Sequence, residues 1–152
     1  MRIASTQYSG KHRALEIYVS GCNGPHCPGC HNSEIWDFDN GTDYDHTLSS
    51  FILTKIHLFD KMIDRIWILG GEPLDQNIGC LQHMLETLNR TGKEVWLFTG
   101  YDFDKIPDSI MYQCAYVKCG RFEKDNLNES HEMYGVKLAS QNQKIFKRGY
   151  DY

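Results

Sequence analysis

The chain has 152 residues, 41% of them hydrophobic and 24% charged, with a formal net charge of −4. This length fits one domain that buries roughly two-thirds of its unfolded surface, so residues 1–152 are expected to share one core without disulfides. The acidic balance argues against nucleic acid or an anionic membrane as a partner. No apolar run nears the ~20 residues of a membrane span, and the first seven residues lack a signal-peptide core, so the expected location is cytoplasmic.

The first predicted strand, Leu15-Glu16-Ile17-Tyr18-Val19, ends at Ser20-Gly21-Cys22. A helix follows, with Leu48, Ile52, Ile56, Phe59 and Ile63 at steps of three and four. The second strand, Arg65-Ile66-Trp67-Ile68-Leu69, stops at Gly70-Gly71. A second helix carries Ile78, Leu81, Leu85 and Leu88 on one face, with Asp75 as its expected cap. A third strand, Glu94-Val95-Trp96-Leu97-Phe98, runs into Thr99-Gly100. A short helix over 106–112 leads to a fourth, Ala115-Tyr116-Val117-Lys118, before Cys119-Gly120. Segments 135–138 and 144–147 predict a closing hairpin.

The two middle strands are nearly continuous apolar runs, as in strands covered on both faces. Strand–helix alternation implies a parallel sheet with right-handed crossovers. The chain is too short for a full eight-stranded barrel, which needs about 200 residues or more. The expected class is therefore α/β, a partial (β/α) barrel of four to six strands with a mostly parallel sheet. Cys22, Gly70-Gly71-Glu72 and Thr99-Gly100 all follow strand C-termini, where parallel sheets bind ligands, and are expected at one mouth.

Three of the six cysteines fall within Gly21-Cys22-Asn23-Gly24-Pro25-His26-Cys27-Pro28-Gly29-Cys30-His31-Asn32. Thiolates are soft ligands that select zinc or iron–sulfur clusters, and the glycines and prolines wrap this loop tightly. Two readings stay open on spacing alone. One is a cluster with one iron lacking a protein thiolate. The other is a zinc knot completed by His26 or His31, although zinc sites usually pair ligands across a longer spacer. Cys80 and Cys114 read as buried small hydrophobes, and Trp67 and Trp96 as core. Cys119, at a strand end, is either packing or near the site. His12, His46, His57, His83 and His131 have no ligand spacing. Asp37, Asp39, Asp43 and Asp45 lack the regular EF-hand pattern and read as a solvated turn.

The order of strand, three-cysteine loop, His31-Asn32, and Gly70-Gly71-Glu72-Pro73 after the next strand resembles the radical S-adenosylmethionine superfamily. Four features resemble one branch of it, the activating proteins of anaerobic ribonucleoside-triphosphate reductase. They are Cys27-Pro28-Gly29-Cys30-His31-Asn32 with Trp36, Gly70-Gly71-Glu72-Pro73-Leu74, Trp96-Leu97-Phe98-Thr99-Gly100-Tyr101, and Gly120-Arg121-Phe122-Glu123-Lys124 followed by Ser140-Gln141-Asn142-Gln143-Lys144.

The resemblance implies a 4Fe-4S cluster on Cys22, Cys27 and Cys30, whose free iron chelates the methionine moiety of S-adenosyl-L-methionine. It implies reductive cleavage to a 5′-deoxyadenosyl radical and a glycyl radical on the reductase. Glu72 would accept from the methionine ammonium, Gly70 and Gly71 would allow close approach, and Pro73 would fix the turn. Gly29 and His31 would contact adenine or methionine, and Thr99 and Gly100 the ribose. No catalytic residue beyond the cluster ligands is implied. The implied partners are the reductase catalytic subunit and a flavodoxin or ferredoxin electron donor, with a homodimer as a possible assembly. The chain departs from the family in placing four residues, not three, between Cys22 and Cys27. Cys119 stands where an acidic residue is frequent, and Lys137-Leu138-Ala139-Ser140 replaces an arginine–glycine–serine start. Competing readings are a radical enzyme on a small molecule, akin to 7-carboxy-7-deazaguanine synthase, and a zinc-stabilised interaction module without catalysis.

Overall fold

The computed structural model describes residues 1–128 and 130–152. It opens with a strand the periodicity does not announce. β1 (Arg2–Ser9) runs antiparallel to β2 (Ala14–Val19), with Ile3 opposite Val19 and Ser9 opposite Ala14. Ser5, Thr6, Gln7 and Ser9 dilute its apolar content because one face stays wet, as antiparallel outer strands allow. β3 (Thr42–Asp43) pairs with β1.

The alternating core follows as α1 (His46–Leu58), β4 (Arg65–Gly70), α2 (Ile78–Asn89), β5 (Glu94–Phe98), α3 (Asp108–Met111) and β6 (Tyr116–Cys119). β2, β4, β5 and β6 are parallel neighbours, and the seven-stranded sheet has the order β3-β1-β2-β4-β5-β6-β9, where β9 is Lys144–Lys147. Successive crossovers of one hand, stepping in one direction, put α1, α2 and α3 on the same face. There Ile52, Ile56, Leu81, Leu85, Leu88 and Ile110 pack on Ile17, Ile66, Ile68, Leu97 and Val117. The opposite face carries Trp67, Trp96, Tyr116 and, on β9, Ile145, under Val136 and Leu138. The α/β class and the parallel centre are as expected. The sheet is open, with antiparallel strands on both flanks, and holds two strands, β1 and β3, that periodicity did not mark.

Several local expectations need correction. The two C-terminal segments do not pair as a hairpin. β9 instead runs antiparallel to β6, while β8 (Val136–Lys137) pairs with β7 (Glu132–Met133) in a separate two-stranded sheet. Periodicity cannot distinguish these, since a four-residue strand pairs with whichever edge is free. α1 ends at Leu58, and Phe59 and Ile63 join the core from a turn closed by Ile63 N–H to Phe59 O at 3.0 Å. α2 is capped by Asn77, whose side chain accepts from Cys80 N–H at 3.0 Å, not by Asp75. Cys80, in the first turn of α2, is half-buried, whereas Cys114 is fully buried. The acidic stretch is structural: Asp45 caps α1, accepting from Leu48 N–H at 2.9 Å, and Asp43 pairs with Arg2 at 3.0 Å.

Candidate functional site

The three segments expected at one mouth do meet, around a cavity of 620 Å³ at the C-terminal edge of the parallel strands. Cys22, Cys27 and Cys30 form one side. Gly70, Gly71 and Glu72 form the second, and Thr99 and Gly100 the third. Gly29, His31 and Pro73 are not on the wall. Gly29 faces Phe122 and Lys124, exposed His31 lies with its ring centroid 5.8 Å from that of Phe122, and Pro73 is buried at the start of a 3₁₀ turn.

Backbone hydrogen bonds lace the cysteine loop to the Gly-Gly-Glu turn. Gly71 N–H donates to Val19 O at 2.8 Å and Glu72 N–H to Gly21 O at 2.7 Å. Gly21 and Cys22 in turn donate to Ile35 O and Trp36 O at 2.8 and 3.0 Å. The approach is too close for a side chain: a Cβ on Gly71 would overlap the Gly21 carbonyl. Gly70 has φ +123°, a conformation open to glycine, and a Cβ there would sit 2.5 Å from Val19 O.

Glu72 is buried (6% exposed) and holds the loops after β4 and β5 together. Its Oε1 accepts from Thr99 Oγ1–H at 2.7 Å and Leu74 N–H at 3.0 Å, and its Oε2 accepts from Gly100 N–H at 2.7 Å. Burial pushes the carboxyl upward in pKa against the pull of these donors. A carboxylate oxygen accepts two hydrogen bonds, so Oε2 keeps one lone pair for a ligand donor.

Several residues of this neighbourhood were given no role by sequence reasoning, although Asn32, Arg121, Asn142 and Gln143 stand in the motifs that carry the resemblance. Asn32 Nδ2 donates to Gly70 O at 3.1 Å, and Gln76 Nε2 to Ser20 O at 2.9 Å and Glu72 O at 3.1 Å. Both are amide clamps between loops; the motif names Asn32 without its role, and spacing carries no signal for Gln76. Lys118 and Arg121 line the cavity. Lys118 was findable by strand alternation, because it shares a face with Tyr116 while Cys119 turns into the helix-side core. Its Nζ donates to Gly120 O at 3.2 Å, and burial pushes the ammonium down to about 8. Cys119 is packing: burial drives its thiol up to about 12. Asn142 and Gln143 tie the segment after β6 down, donating to Arg121 O at 2.9 Å and Gly120 O at 3.1 Å.

The donor set fits an iron–sulfur cluster. Cys22, Cys27 and Cys30 are free thiols facing one cavity, and burial pushes the Cys22 thiol upward, helped by the Asp75 and Glu72 carboxylates. Among the described residues no three Cys, His, Asp or Glu side chains, these thiols included, are gathered closely enough to hold a single metal ion. His26 commits Nε2–H to Cys22 O at 2.9 Å and stacks on Trp36, so it is turned to the loop's own backbone. No described helix is long and apolar enough to cross a membrane.

Residues 9–146 match the family described as a 4Fe-4S single cluster domain. Among curated proteins, the chain is 30% identical over 117 residues to the anaerobic ribonucleoside-triphosphate reductase-activating protein of Escherichia coli (strain K12), covering 72% of this chain and 74% of the relative. It is 26% identical over 130 residues to the protein of that name from Haemophilus influenzae, covering 80% and 82%. It is 29% identical over 113 residues to that of Enterobacteria phage T4, covering 72% and 70%. Three thiols and a Gly-Gly-Glu turn on one cavity therefore coincide with a match along most of the chain, and the chain belongs to the anaerobic ribonucleoside-triphosphate reductase-activating protein family, with its 4Fe-4S single cluster domain.

Proposed function

We propose that this protein is a radical S-adenosylmethionine enzyme that installs a glycyl radical on an anaerobic ribonucleoside-triphosphate reductase. The observation that carries the reading is the meeting of Cys22, Cys27 and Cys30 with Gly70-Gly71-Glu72 on one cavity. When bound, a reduced 4Fe-4S cluster supplies one electron to S-adenosylmethionine, releasing methionine and a 5′-deoxyadenosyl radical that takes a hydrogen atom from a glycine of the reductase.

The chain's own residues then bind, orient and enclose. Cys22, Cys27 and Cys30 hold three irons. Gly70 and Gly71 let a ligand lie against backbone, and the remaining lone pair of Glu72 Oε2 receives an ammonium hydrogen. Thr99 and Gly100, held by that carboxylate, border the ribose. Gly29 and His31 lie in the cysteine loop beside Phe122, off the cavity wall. We further propose that residues 1–152 act as one radical-S-adenosylmethionine domain in the cytoplasm, that the sheet is a partial barrel, and that a flavodoxin or ferredoxin delivers the electron.

Anaerobic purification should give a brown protein with about four iron and four sulfide per chain. Dithionite reduction with S-adenosylmethionine should release 5′-deoxyadenosine, and adding the native reductase should give a glycine-centred radical by electron paramagnetic resonance. Stoichiometric zinc in a colourless, air-stable protein would remove the reading. Deoxyadenosine without a protein radical would transfer it to a small-molecule substrate.

A further inference from the structure

Four residues separate Cys22 from Cys27, and the first and last of them are both held. Asn23 N–H donates to Asp75 Oδ2 at 2.6 Å. His26 Nε2–H donates to Cys22 O at 2.9 Å, with its ring stacked on Trp36 at a centroid distance of 3.8 Å and planes 5° apart. The other Asp75 oxygen, Oδ1, accepts from Tyr101 O–H at 2.7 Å. One carboxylate thus joins three loops: the cysteine loop after β2, the 3₁₀ turn Pro73–Asp75 after β4, and the segment after β5. Asn77 already caps α2, so Asp75 is not needed there.

Each added loop residue brings conformations that must be given up when the loop closes on a fixed centre. Asn23 is solvent-exposed. Tyr101 lines the cavity, so the same carboxylate links the first thiol to the rim.

We propose that Asp75 is a positioning residue. Holding the Asn23 amide on one side and the Tyr101 hydroxyl on the other, it sets where Cys22 presents its thiol within a loop one residue longer than the family's usual spacing. The inference rests on the function proposed above for its meaning, but its first readout needs no cluster.

The test compares Asp75→Ala, Asp75→Asn and Tyr101→Phe in the full chain. Hydrogen exchange at the Asn23 amide should quicken about fivefold in Asp75→Ala, the factor of one ordinary hydrogen bond. It should stay near wild type in Asp75→Asn, whose amide oxygen accepts the same N–H, and should rise less in Tyr101→Phe. In anaerobically reconstituted protein, chelator bleaching should be several-fold faster for Asp75→Ala, with a broadened signal from the reduced cluster, and Asp75→Asn should restore both. Wild-type exchange and bleaching in Asp75→Ala overturn the proposal, and so does an Asp75→Asn variant that behaves like Asp75→Ala. If Asp75→Ala does not fold, an Asn23 amide unaltered by Tyr101→Phe overturns it. A wild-type chain that takes up no iron defeats the proposed function instead, while the Asn23 exchange still decides this inference.

Discussion

The two faces of the sheet differ in chemistry and in cover. The helix side is aliphatic at its centre, with Ile17, Ile66, Ile68, Leu97 and Val117 closed under α1, α2 and α3, and carries rings, such as Phe103 on Phe146, among its partly buried residues. The other side is aromatic. Trp96 stacks on Tyr116 at 4.0 Å, Trp67 lies 4.8 Å from Phe98, and the cover is the irregular chain around Val136 and Leu138. Only the aromatic side runs on into the cavity, through Leu69, Phe98 and Lys118. On it the buried Trp67 Nε1 and Arg65 Nε have no hydrogen-bond partner among the described residues. One face thus serves stability alone. The other combines rigid rings, which lose little freedom on ordering, with an opening at the strand ends where loops can meet a ligand.

Substitutions on the two sides should separate stability from chemistry. The largest effect belongs to the cavity. Alanine at Cys22, Cys27 or Cys30 should abolish deoxyadenosine release while the chain keeps its thermal midpoint, and release at the wild-type rate from any of the three would break the comparison. On the helix side, Leu85→Ala should cost about 2–5 kcal/mol in urea titration, because a fully buried leucine leaves a void, yet iron bound per folded chain should stay the same.

Glu72→Ala straddles the two. It strips the acceptor from Thr99 Oγ1 and Gly100 N–H, so a cost of about 1–3 kcal/mol is expected, together with weakened S-adenosylmethionine binding measured by equilibrium dialysis. Lys118 sharpens the polar end of the aromatic face. Its ammonium is disfavoured by burial, with the folded value near 8 against the ordinary 10.5. The unfolded chain therefore holds more protons between those values, and stability should rise with pH across that window. Lys118→Met should be the more stable protein at pH 7, with an advantage that shrinks from about pH 8 to 10.5; a pH-independent gap in urea midpoints would refute the buried charge. The smallest effect should be Asn77→Ala, about 1 kcal/mol from the lost α2 cap, visible in thermal melts and silent in iron content.

Much of the site was legible because its chemistry demands particular residue types close in sequence. The three thiols and the glycines of Gly70-Gly71 announce themselves, and strand ends marked by Gly predicted where they would meet. The amphipathic steps of Leu81, Leu85 and Leu88 likewise marked α2 and its buried face. Less was legible where an element is defined by its neighbour. β1 is a strand because β2 and β3 flank it, and β9 pairs with β6 because that edge was open.

The sequence by itself determined that three thiols share one loop, the parallel centre of the sheet and the aliphatic core, since each follows from local composition and period. Only the tertiary structure decided that Asp75 leaves the helix cap to grip Asn23 and Tyr101, that Glu72 is held by Thr99 and Gly100, and that Lys118 enters the cavity while Cys119 leaves it. The physical reason is that a hydrogen bond between loops tens of residues apart depends on where the sheet sets those loops, and short-range patterning carries no information about that distance.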